Sequence, residues 1–140
     1  MIAALAAMGL ALLGCSESSD PSASNAARPV TLEKVSSQNG ADLHRVTLTA
    51  EAVKRLGLRT EPVADQADTL VVPYGAVVYD GHGDAWVYTR SRPRSFVRAP
   101  ITIRSIDGDT ALLSAGPDAG TQVVTVGASE LFGAEQGIGT

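Results

Sequence analysis

From Thr69 onward, apolar runs are cut short by Gly, Pro and Asp before any could complete an ordinary helix. The breaks are GHGD (Gly81–Asp84), RSRPRS (Arg90–Ser95), DGD (Asp107–Asp109) and AGPDAGT (Ala115–Thr121). Between them lie Val77–Tyr79, Ala85–Thr89, Phe96–Arg104, Thr110–Ser114 and Gln122–Val126. These are runs of strand length, with a turn about every 8–12 residues. That rhythm predicts an all-β fold, a small antiparallel sandwich or barrel. Pro73 within TLVVPYGAVVYD marks a strand end or edge, because it has no N–H for a central ladder. Alternation in Ala85–Thr89 puts Trp86 and Tyr88 on one face and Ala85, Val87 and Thr89 on the other. Phe96–Arg104 reads as one long strand kinked near Pro100.

Upstream, VTLEKV (Val30–Val35) alternates as a first strand, and Arg45–Leu48 reads as a second. SSQNGAD (Ser36–Asp42) between them is a turn, with Asn39-Gly40 its strongest signal. LTAEAVKRLGL then carries the marks of the one short helix, over residues 50–56. Thr49 suits the N-cap, Glu51 the first turn, Lys54 and Arg55 the last, and Gly57 the C′ position. Leu58–Val63 runs extended. From Ala128 a single helical turn is expected before residues 133–140 fray, so the β-domain spans 30–132 and residues 133–140 form a flexible tail.

Residues 1–14 are uncharged and apolar but shorter than a bilayer span of about 20 residues. They match the apolar region of a signal peptide. LLGC (Leu12–Cys15) resembles the lipobox of bacterial lipoproteins. That resemblance implies cleavage before Cys15, a diacylglyceryl group on its thiol and acylation of the new amino terminus. More than one fatty chain gives stable attachment. A leader of this kind opens with a basic residue, yet the first here is Arg28; a start upstream of Met1 is the simpler expectation. Residues 15–29 then form a Ser/Ala/Pro-rich flexible tether. The implied location is the periplasm, anchored by lipid, with either membrane possible.

The single cysteine excludes an internal disulfide. A net charge of −4 argues against a nucleic-acid partner. Asp80, His82 and Asp84 are the weak candidates for a metal site, although Gly and Asp are also what a hairpin turn demands, and the turn is the favoured reading. No nucleophile elbow, phosphate loop or His-based triad is present, so neither an enzyme nor a non-covalent cofactor is expected. Five arginines and no acidic residue lie between Arg90 and Arg104. Arg90, Arg92 and Arg94 surround a hairpin tip, and Arg98 and Arg104 follow on the next strand. Arg90, Arg92, Arg94 and Arg98 are the candidate docking residues, for anionic lipid headgroups or an acidic protein surface. The same pattern also describes a solvated hairpin.

Three stretches resemble the periplasmic adaptor subunits (membrane fusion proteins, HlyD-like) of resistance–nodulation–division efflux pumps. They are VTLTAEAVKRLGLRTEPV (Val46–Val63), VVPYGAVVYDGHGDAWVYTRSRPRSFVRAPITI (Val71–Ile103) and SAGPDAGTQVVTVGASEL (Ser114–Leu131). The resemblance implies a membrane-proximal β-domain that docks on an inner-membrane transporter. Only seven residues separate Val63 from Val71, where the family carries a barrel, a lipoyl-like domain and a helical hairpin. The function expected is a lipid-anchored adaptor-like binding module, with membrane lipid and a membrane transporter as partners. The alternatives are a periplasmic metal- or small-ligand-binding lipoprotein and a non-functional remnant of an internally deleted adaptor.

Overall fold

The computed structural model describes residues 28–38 and 40–137. The expected leader, Cys15 and the tether up to residue 27 lie outside the described residues, as do Asn39 and residues 138–140. Two antiparallel sheets face each other, and the chain crosses between them. The larger contains β1 (Val30–Gln38), β2 (Ala41–Leu48), β8 (Ser95–Pro100), β7 (Ala85–Arg92), β11 (Gln122–Val126) and β3 (Arg59–Pro62), in that spatial order. The short β6 (Val78–Tyr79) pairs with β7 beside them. The smaller sheet is β4 (Ala64–Gln66), β5 (Thr69–Pro73), β10 (Thr110–Ala115) and β9 (Thr102–Asp107). This is the all-β sandwich that the strand rhythm predicts.

The crossings occur at two buried residues. Val63 leads from β3 into β4, held by hydrogen bonds from its N–H to Thr121 O and from Gly120 N to its carbonyl, each 2.8 Å. Ile101 leads from β8 into β9, and its N–H donates to Ala85 O at 3.0 Å. The long strand expected over Phe96–Arg104 is therefore two strands in different sheets. Pro100 brings no N–H to continue the first ladder, and Ile101 turns into the core between the sheets.

Alternation along β7 divides the interior. Trp86 and Tyr88 point one way, into a core with Leu43, Val46, Leu48, Phe96, Val124 and Leu131. Val87 points the other way, between the sheets, with Val72, Ala111, Leu113 and Val123. Two helices pack on the first core. α1 (Ala50–Leu56) has the predicted bounds and caps: Thr49 Oγ1 accepts from Ala52 N at 3.1 Å, and Gly57 is left-handed at φ 61°. α2 (Ala128–Glu135) is longer than the single turn expected, and it ends inside the segment expected as a flexible tail. Ala128, Leu131 and Glu135 are its buried residues, at helical spacing. Among the described residues no helix is long and apolar enough to cross a membrane.

Candidate functional site

The arginine-rich hairpin lies where three elements meet. β7 and β8 pair Arg92 with Ser95, leaving Pro93 and Arg94 as a two-residue turn. The strand thus continues beyond the Thr89 expected. A bulge falls between Arg90 and Arg92, breaking the simple alternation of the arginines and re-aiming the tip. Arg94 takes a φ of 60°, a conformation in which glycine costs least. Its carbonyl accepts from Leu48 N at 2.9 Å at the end of β2, and the next residue, Thr49, donates its N–H to Pro29 O at 3.1 Å. The start of β1, the end of β2 and the arginine tip are thereby tied together.

Arg90 and Arg94 line a groove of about 250 Å³ with Val53, Leu58, Pro93 and Phe96. Arg90, Arg92 and Arg94 are all exposed, and none has an ion-pair partner among the described residues. The groove therefore offers guanidinium groups beside an apolar floor, a combination suited to phosphate or carboxylate on an amphipathic surface.

Arg98 is not part of that cluster. It is buried, and Glu135 engages it at both ends: Nε donates to Oε2 at 2.8 Å and an Nη to Oε1 at 3.1 Å. The guanidinium carbon also sits 4.8 Å from the centroid of Trp86 and 5.3 Å from that of Phe132. Tyr88 donates its hydroxyl to Glu135 Oε2, and His44 donates its backbone N–H to Oε1 at 3.2 Å. Burial first, then Glu135, push the Tyr88 hydroxyl far above the usual phenol range. The placement of Arg98 as a docking residue is corrected on this point. It stands two residues after Phe96, on the same face of β8, so it faces the core, and the carboxylate it requires comes from the end of α2. The inward position of Arg98 follows from strand alternation, and that of Glu135 from its spacing four residues after Leu131.

A cleft of about 440 Å³ opens over this ion pair, lined among others by Asp42, His44, Asp80, His82 and Gln136. It brings together two histidines, His44 and His82, far apart in sequence. Asp80 does not reach into it as a free carboxylate. Its Oδ1 accepts from the backbone N–H of His82 at 2.9 Å and of Asp84 at 3.0 Å, and its Oδ2 from Trp86 Nε1 at 3.0 Å. Partial desolvation works to raise the Asp80 pKa; the indole and the two backbone N–H groups outweigh it and hold it below the ordinary 3.8. His82 and Asp84 are exposed on the turn that Asp80 organises. Among the described residues no three His, Cys, Asp or Glu side chains gather in a way that could hold a metal ion. Within the cleft His44 Nδ1 lies 3.7 Å from Glu135 Oε1, and Arg98 and Glu135 already satisfy each other.

Compared with family models, curated proteins and solved structures, the chain matches none.

Proposed function

We propose that the protein is a lipid-anchored, adaptor-like binding module, held at the periplasmic face of a membrane through acylated Cys15 and docked on a membrane transporter. The observation that carries the reading is the pairing of the early and late segments in one sheet. Val46 in the first stretch that resembles an adaptor stands opposite Phe96 in the second, and Thr60 in the first opposite Val124 in the third. Three stretches separated in sequence thus form one β-domain, as expected of the membrane-proximal part of an adaptor.

The seven residues from Ala64 to Leu70 are where this chain departs from the adaptors it resembles, and they limit the proposed role. Gln66 pairs with Thr69 across a two-residue turn in which Ala67 and Asp68 have φ of 50° and 61°. The sheet closes there within one hairpin, which leaves no room for a lipoyl-like domain or a helical hairpin. Such a module binds and positions; it does not bridge to a second membrane.

Site-specific photocrosslinking in cells tests the proposal. Crosslinkers go at the exposed apolar positions Leu32, Tyr79 and Ile106. The expected result is capture of one polytopic transporter-class protein from at least one position. Capture of no membrane protein from any of them would overturn the docking role.

A further inference from the structure

The arginine tip shares one pole of the fold with the point where the N-terminal segment joins it. Thr49 donates to Pro29 O at 3.1 Å, and its neighbour Leu48 donates to Arg94 O at 2.9 Å. Arg28, the first described residue, is exposed at the same corner. The polar cleft lies towards the other end of β2, around His44, about 13 Å from Leu48 at a strand's rise per residue. The two ends of the sheet therefore differ in charge and in chain attachment.

We infer that the Pro93–Arg94 turn is a membrane-facing tip, whose Arg90, Arg92 and Arg94 bind the phosphates of anionic lipid headgroups. The inference rests on the anchor in the proposed function. Thirteen residues separate Cys15 from the exposed Pro29. A chain of that length reaches at most about 45 Å even when fully extended. A lipid on Cys15 keeps this corner of the fold within reach of the headgroups.

Two observations favour lipid over a solvated hairpin. The first is charge without compensation: all three guanidinium groups lack an ion-pair partner among the described residues. The carboxylates nearest in sequence to the groove are Glu51, two residues before Val53, and Glu61, which follows Thr60, and neither pairs with these arginines. The second is the groove itself, in which Arg90 and Arg94 flank Val53, Leu58, Pro93 and Phe96. A cationic rim around an apolar floor complements a phosphate beside acyl chains.

The test uses the mature chain, from residue 15 onward and carrying Cys15→Ser, so that neither the apolar leader nor an acyl chain contributes to binding. Cosedimentation is measured with vesicles of pure phosphatidylcholine and with vesicles containing about 30 mol% phosphatidylglycerol. The inference predicts tighter binding to the anionic vesicles, weakening as salt shortens the Debye length. Each surface arginine contributes about fivefold, so Arg90→Gln, Arg92→Gln and Arg94→Gln together reduce that binding on the order of 100-fold. Arg104→Gln, which removes an exposed arginine from the smaller sheet, leaves it within about twofold. Near-ultraviolet circular dichroism of the buried Trp86 checks that the triple variant keeps its fold.

Equal binding of the parent to both vesicle types would overturn the inference. So would a triple variant that binds anionic vesicles as well as the parent does. If the triple substitution instead abolishes a protein crosslink while vesicle binding stays insensitive to charge, the tip recognises an acidic protein, and the lipid assignment is wrong. Because Cys15 is already replaced, these outcomes are read separately from whether Cys15 is acylated in the cell.

Discussion

Replacing Glu135 with Ala should be among the most damaging single substitutions in this protein. The Glu135 side chain is 0% exposed and that of Arg98 is 2% exposed. Truncation leaves the Arg98 cation buried with its main partner gone, and it removes the acceptor for Tyr88 Oη and for the His44 backbone N–H. Breaking one side of a buried pair costs about 3–5 kcal/mol. The orphaned hydroxyl and amide would add to this, while the adjoining cleft admits water and offsets part of it. The expected loss is about 4 kcal/mol, a large share of the roughly 5–15 kcal/mol that stabilises a domain. In melting temperature that is a fall of about 20 °C.

Urea denaturation followed by Trp86 fluorescence provides the assay, since this is the only tryptophan and it is fully buried. Combining Arg98→Met, Glu135→Leu and Tyr88→Phe replaces the polar cluster by apolar groups of similar size. That variant should recover all but about 1–2 kcal/mol. A loss below about 1 kcal/mol for Glu135→Ala, with the cooperativity of unfolding unchanged, would refute the reasoning.

Other substitutions probe separate parts of the fold. Arg94→Gly relieves the left-handed backbone at φ 60° and should raise stability by about 0.5–1 kcal/mol in urea unfolding, while weakening anionic-vesicle binding about fivefold. Gly127, at φ 91°, precedes α2 so closely to Leu58 that an added Cβ would overlap Leu58 Cδ2. Gly127→Ala should therefore cost about 2 kcal/mol in thermal unfolding. The Asp80 carboxyl has its pKa depressed in the folded state, so its contribution is present above 3.8 and is lost as pH falls through the lower folded value. Asp80→Asn should flatten the fall in stability below that pH, as read by urea midpoints across the acid range.

The sequence reveals the architecture where local and tertiary preferences agree. The Thr49 and Gly57 caps delimit α1, and period-two alternation separates Trp86 and Tyr88 from Val87. Strand rhythm alone does not say which strands share a sheet. Phe96–Arg104 is continuous in pattern, and only the docking of Ile101 between two sheets shows that it changes partner. The buried ion pair is hidden for a related reason. Arg98 sits in a run of surface-type arginines, and Glu135 in a Gly- and Ala-rich C-terminal stretch whose helical signal is weak until Leu131 and Phe132 pack on the sheet. The arginine tip was visible as a cluster. Its place beside Pro29 depends on β2–β8 pairing, which no local pattern encodes.

The proposed role stands most directly on the chemistry of Cys15. Mass spectrometry of the amino-terminal peptide, from protein expressed at its own locus and purified from membranes, reads that chemistry. The predicted peptide begins at Cys15, with a diacylglyceryl group on sulfur and residues 1–14 removed. A peptide that continues through Gly14 into a Cys15 bearing a free thiol would contradict the account.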